Sequence, residues 1–261
     1  MIIKKYFIIL VYLIFSSLSN ASELRILTNV EPPTNYYSKE GIFTGITTDV
    51  VLEIKKQLNL NTNIEVVPWA RAYKIAKRES NIVIFTAGKT QDRIDLGFHF
   101  IGPIITREHI LWSKRGNHFN IKNLEDIKNK KLKIGAMRGD WRSKFFKDRG
   151  FDVQDVARHE QNIKKLIYGR FDLWATSDIE APSIAYNAGF TSDMIEKAYV
   201  FRKSGSYIML SKNSSKQTIK EWRDAYKKIQ ETDFFDKMAK KWSHILNFEF
   251  RYTTEKGLFV K

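Results

Sequence analysis

The residues best suited to chemistry in this chain stand at the ends of apolar runs. Ile82-Val-Ile-Phe-Thr86 has the pattern of a strand buried on both faces of a parallel sheet. Thr86, Ala87 and Gly88 end it, and open α/β sheets place their ligands at that carboxyl edge, within reach of backbone groups. Lys89 adds positive potential there, and reads equally as a solvated lysine. Arg93 follows with a planar guanidinium, which can grip a carboxylate through two parallel hydrogen bonds. Its competing reading is a surface arginine paired with Asp92 or Asp95. Trp69 and Tyr36 are candidate aromatic walls for a ligand, with a core role as the alternative. Arg71 reads as a brace at a helix start, with a reach to the site as the other option. Gly139-Asp140-Trp141 ends a strand and opens a helix, whose first amides favour an anion while Asp140 caps it.

The usual catalytic constellations are missing. His99, His109, His118, His159 and His244 are scattered, without His-Glu-x-x-His or close metal-ligand spacing. There is no cysteine, no Gly-x-Ser-x-Gly elbow and no phosphate loop. The chain therefore reads as a non-enzyme without cofactor or metal.

A positive pair (Lys4, Lys5), an apolar stretch over residues 6–15 and the small-polar ending Ser19-Asn20-Ala21 form a cleavable leader over residues 1–21. The apolar stretch is too short for a bilayer, which needs about 20 residues, so the mature chain is not membrane-embedded. An exported fold without disulfides needs a sizeable core. With no cysteine after the leader there is no N-terminal lipid attachment point, so a Gram-negative periplasm is the expected compartment. The formal charge of +15 drops to +13 when Lys4 and Lys5 leave with the leader. The bases are mixed with acids along the chain, without a basic arm or aromatic platform, which argues against nucleic acid.

The elements that must position these residues alternate. Residues 24–27 read as a strand, closed by the turn Glu31-Pro32-Pro33. Thr47 or Thr48 caps a helix whose Ile46, Val50, Val51, Ile54 and Leu58 face inward. Residues 64–67 form the next strand, before a helix carrying Ala72, Tyr73 and Ala76. The rhythm restarts after residue 110, with helices over 123–130, 141–148 and 162–168 and strands over 133–136 and 171–175. Asp178 opens a further helix. Short strands at 200–201 and 207–210 follow, separated by Lys203-Ser204-Gly205. Two final helices carry Ile219, Trp222, Tyr226 and Ile229, then Phe234, Phe235, Met238 and Trp242. Residues 245–252 form a strand or a docking arm. Such alternation predicts βαβ units and a parallel sheet.

Four ordered stretches resemble the family 3 periplasmic solute-binding proteins. They are Glu31-Pro-Pro-Thr-Asn-Tyr36, Phe43-Thr-Gly-Ile-Thr-Thr-Asp49, Val67-Pro-Trp-Ala-Arg-Ala-Tyr73 and the run Phe85-Thr-Ala-Gly-Lys-Thr-Gln-Asp-Arg93 continuing to Gly102-Pro-Ile104. The resemblance covers nearly all of the mature chain. It implies an α/β, two-lobed periplasmic binding protein fold (type II), each lobe a mostly parallel sheet flanked by helices, with two hinge crossings. Residues 22–110 and 204–261 would build the first lobe and 111–203 the second, with crossings near 109–113 and 200–207. The implied function is capture of an amino acid or similar carboxylate for an inner-membrane ABC permease, by a monomer. The family's carboxylate-holding Arg after Thr-x-x maps onto Thr90-Gln-Asp-Arg93. Its ammonium-accepting Asp after a Gly-x-x-Asp strand maps near Gly169-Arg-Phe-Asp172. Ser177 holds the expected position there and Asp178 stands one residue later, where it reads equally as an N-cap. Two alternatives share the fold, a cyclohexadienyl-dehydratase-like enzyme and a free ligand-sensing protein. The first requires an acid of raised pKa, which the sequence does not mark.

Overall fold

The structure, a computed structural model, describes residues 23–247 and 249–261. The leader over residues 1–21 lies outside them. No helix among the described residues is long and apolar enough to cross a membrane.

Twelve strands and nine α-helices are described. The strands are β1 (Arg25–Thr28), β2 (Tyr36–Tyr37), β3 (Phe43–Thr44), β4 (Ile64–Val66), β5 (Ile82–Gly88), β6 (His99–Lys114), β7 (Ile134–Met137), β8 (Val153–Val156), β9 (Leu173–Ser177), β10 (Ile195–Leu210), β11 (Phe250–Thr253) and β12 (Gly257–Val260). The helices are α1 (Ile46–Gln57), α2 (Trp69–Arg78), α3 (Gln91–Asp95), α4 (Leu124–Asn129), α5 (Trp141–Lys147), α6 (His159–Ile167), α7 (Ala181–Asn187), α8 (Lys216–Gln230) and α9 (Phe234–Leu246). One sheet runs in the order β4-β1-β5-β10-β6-β9-β7-β8. Its flanks, β4-β1-β5 and β9-β7-β8, are parallel. Its centre is the antiparallel pair β6 and β10, each 16 residues long, and both strands continue through the two flanks. This is a mixed α/β fold, mostly parallel outside its central ribbon, with helices against the sheet.

The core divides at that ribbon. Trp222, Trp242, Phe235 and the inward face of α1 pack on Ile26, Val83, Phe85, Ile105 and Ile208. A second group, Trp174, Ile163, Leu166, Ile110 and Ile195, packs on the other side with a third around Phe146 and Leu111. Each fully buried large side chain contributes roughly 1.5–3 kcal/mol of transfer free energy, so the tryptophans anchor both halves. Ile179 crosses the division, because it packs with the first group although it follows β9.

Four local expectations are corrected. The residues at 200–201 and 207–210 are one strand, since Lys203, Ser204 and Gly205 pair with Glu108, Arg107 and Thr106 instead of turning. Lys203 is exposed and pairs with Glu108, and Ser204 bonds buried His109, so this polar stretch lies on a strand and not in a loop. Thr47 and Thr48 lie inside α1, whose N-cap is Gly45. Gly45 has φ of 139°, and a Cβ there would stand 2.2 Å from the Thr34 carbonyl oxygen, so only glycine allows this approach. Asp178 does not open α7, which begins three residues later. In the tail, Ile245 and Leu246 end α9, and strand begins only at Phe250, where β11 and β12 form a hairpin docked on β6 through Leu258 and Ile105.

Candidate functional site

At the carboxyl edge of β5, Thr86 adopts φ of 63°, a left-handed conformation that is unusual for a β-branched residue. Its hydroxyl donates to Asn35 Oδ1 at 2.5 Å and lies 2.5 Å from Thr47 Oγ1. Thr47 in turn donates to the Thr34 carbonyl. These buried bonds fix the turn after β1 against the end of β5. Ala87 is buried, Gly88 half-buried, and exposed Lys89 holds its ammonium 5.8 Å from the Tyr207 ring.

Arg93 lies beside this strand end. Its Nη1 donates to the Gly88 carbonyl at 2.5 Å, and its guanidinium carbon stands 4.8 Å from the Trp69 ring and 5.2 Å from Tyr73. Those two rings stack at 6.0 Å. Burial pushes the Arg93 pKa below its ordinary value. Yet no carboxylate among the described residues lies within 4.0 Å of it. Asp95 instead accepts from Gln91. A half-desolvated guanidinium without a counter-ion is a site that a ligand carboxylate would complete.

The other residues singled out from sequence fall into two groups. Tyr36 is half-buried in β2 against the first core group, and Arg71 is exposed in the first turn of α2, where its charge acts on Glu65. Neither joins the strand end through a contact with Arg93. Gly139 is exposed, and Asp140 caps α5 by accepting from Arg142 N at 2.7 Å. Ser177 is fully buried, its hydroxyl accepting from Glu180 N. Asp178 is also buried, with Oδ2 accepting from Glu108 N at 3.1 Å and Oδ1 from Ile179 N at 2.9 Å. Burial pushes its carboxyl up to about 6.

Sequence reading missed a buried charge network at the ribbon. Arg107 Nη1 lies 2.6 Å from Glu31 Oε1 and 3.7 Å from Glu180 Oε1, while its Nη2 donates to Ser206 Oγ at 2.7 Å. Glu180 Oε2 accepts from Arg142 Nη2, Thr176 Oγ1 and Ser177 N. Arg142 Nη1 continues to Asp140 Oδ2 at 2.7 Å. The charges thus alternate from Glu31 through Arg107, Glu180 and Arg142 to Asp140. Arg142 Nε donates to His109 Nδ1, so the His109 proton is on Nε2, facing Ser204 Oγ at 2.7 Å. Burial and the two guanidiniums push His109 down to about 2, which keeps it neutral. The available signal was Arg107-Glu108-His109 interrupting an otherwise apolar strand between Ile105 and Ile110.

Two open surface depressions lie elsewhere, beside α6, lined by Gln154, Lys164, Lys165, Tyr168 and Arg170 and by Arg138, Asp155 and Val156. None of the polar residues lining them is buried, so they lack the features of a ligand site.

The sequence profile of the bacterial extracellular solute-binding proteins, family 3, matches residues 24–245. The L-cystine-binding protein TcyJ of Escherichia coli (strain K12) is 19% identical over 218 residues, 83% of this chain and 80% of that protein. The L-cystine-binding protein TcyA of Bacillus subtilis (strain 168) is 22% identical over 212 residues, 80% of this chain and 76% of that protein. Among solved structures, an ancestral arginine-binding protein bound to arginine superposes with a TM-score of 0.66 at 21% identity, covering 84% of this chain and 97% of that one. At that identity the structural likeness speaks to the fold alone.

Proposed function

This chain belongs to the bacterial extracellular solute-binding proteins, family 3, and from that premise we propose that it captures an amino acid or a similar carboxylate in the periplasm for an ABC importer. Residues 22–110 with 204–261 form one lobe, residues 111–203 the other, and the ribbon of β6 and β10 is the hinge. The single observation that carries this reading is Arg93, a half-buried guanidinium against Trp69 and Tyr73 with no carboxylate within 4.0 Å among the described residues. Thr86, Ala87 and Gly88 add backbone groups at the same strand end. The relatives that bind cystine support an amino-acid ligand.

Thermal unfolding of the mature protein against amino acids, small peptides, organic acids and polyamines tests it. A ligand at 100 times its dissociation constant stabilises by about 2.7 kcal/mol. A shift with amino acids or carboxylates supports the reading, and a response confined to polyamines would overturn it.

The dehydratase-like reading has one observation in its favour, since the buried Asp178 carboxyl at about 6 is in the range of a general acid. Against it, both Asp178 oxygens are already held by backbone amides. Turnover of cyclohexadienyl acids by the pure protein would establish that reading in place of simple capture.

A further inference from the structure

We propose that Glu31, in the turn after β1, receives the cationic group of the ligand, in place of an acid at the end of β9. This rests on the capture reading above and names the partner of Arg93 in that site.

Apart from Glu108 and Glu196 on the ribbon strands, which face Lys197, Lys203 and His118, four acids border the ribbon, and their surroundings separate them. Asp140 and Glu180 have side chains only 10% and 9% exposed, and both are committed to Arg142. Asp178 has each oxygen on a backbone amide, and its raised pKa weakens it as a fixed negative charge. Glu31 differs on every count. Its side chain is 30% exposed, Oε1 takes Arg107, and Oε2 has no partner among the described residues.

The charge balance points the same way. The alternating network holds three carboxylates and two guanidiniums, and His109 beside it is neutral, so one negative charge is in excess. At the Asp140 end both carboxylate oxygens are taken, Oδ1 by the Arg142 amide and Oδ2 by its guanidinium. At the Glu31 end the side chain is 30% exposed, so a ligand cation can reach the carboxylate there.

Position completes the case. The turn 31–35 is bound to the end of β5 through Asn35 and Thr86. Arg107, which holds Glu31, also bonds Ser206, the residue paired with Gly88 across the sheet. Gly88 in turn bonds Arg93. Glu31 and Arg93 are therefore both tied to the Gly88 end of β5, Arg93 directly and Glu31 through Arg107 and Ser206.

The test is calorimetric titration of the mature protein with L-cystine, L-arginine, L-histidine and L-glutamine, each beside its analogue lacking the α-amino group. Glu31→Gln should weaken the bound amino acid at least tenfold and leave the deaminated analogue within about threefold. Asp178→Asn should change neither by more than about threefold. Glu31→Asp, which restores the charge, should recover part of the loss, whereas a merely misfolded turn would not be rescued. Equal loss of both ligands in Glu31→Gln, or selective loss of the amino acid in Asp178→Asn, would overturn the assignment. A wild-type protein that binds none of the eight probes would overturn the capture reading itself, and this assignment with it.

Discussion

Arg142 Nη2 stands 2.8 Å from Glu180 Oε2, and both side chains are at least nine-tenths buried. The pair ties the start of α5 to the turn after β9, and through Arg107 it reaches Glu31 on the far side of the ribbon. Removing one member of a buried pair leaves the other charge uncompensated. Glu180→Ala is expected to cost about 3–5 kcal/mol in urea unfolding. Glu180→Gln keeps the shape and should cost less. A loss under about 1 kcal/mol in Glu180→Ala would mean that Asp140 alone suffices for Arg142.

Arg93 gives the opposite profile, with a large effect on binding and a small one on folding. Its hydrogen bond to the Gly88 carbonyl is worth about 1 kcal/mol and no ion pair is lost with it, so Arg93→Ala should unfold near the wild-type midpoint. Ligand affinity should drop at least about 100-fold. Arg93→Lys keeps a charge but loses the fork, and should fall between the two. Near-normal titration of Arg93→Ala would remove this residue from the site.

His109 and Asp178 make stability respond to pH in opposite senses. His109 sits at about 2 when folded against its ordinary 6.5, so only the unfolded chain takes up its proton as pH falls. Its contribution is complete above 6.5 and drains away on acidification, by about 1.4 kcal/mol per pH unit. Asp178 sits at about 6 against 3.8, so its contribution is complete below 3.8 and is lost as pH rises through about 6. Between about pH 4 and 6 the two slopes offset. Asp178→Asn should therefore lose stability more steeply on acidification than wild type, and His109→Gln less steeply. Denaturant midpoints at a series of pH values decide it, and parallel curves for all three proteins would exclude the effect.

Gly45 sets the turn that carries Glu31. A methyl there would press on the Thr34 carbonyl and on Asn35 N at 2.6 Å, at a φ that only glycine adopts freely. Gly45→Ala should cost more than about 1 kcal/mol and weaken ligand binding together with it. Gly41→Ala, on the same hairpin with open space around its Cβ, is the comparison for strain without a clash.

Local pattern carried much of the chain. The stripe Ile219, Trp222, Tyr226 and Ile229 is buried along α8, and Phe235, Met238 and Trp242 along α9, because helical spacing alone decides which residues share a face. The apolar run ending at Thr86 is strand β5, between β1 and β10, and Arg93 in α3 packs against Trp69. Lys203-Ser204-Gly205 misled because a polar stretch reads as a turn, whereas here it pairs with Glu108, Arg107 and Thr106 across the ribbon.

By itself the sequence determined the βα alternation, the buried faces and the strand end that Arg93 borders. Each follows from residues a few positions apart, whose spacing is already fixed by the chain. Only the tertiary structure decided which charges are neutralised and which stand free. Arg107 meets Glu31 across 76 residues and Arg142 meets Glu180 across 38. An ion pair depends on distance and desolvation, and neither exists for residues so far apart until the chain has folded.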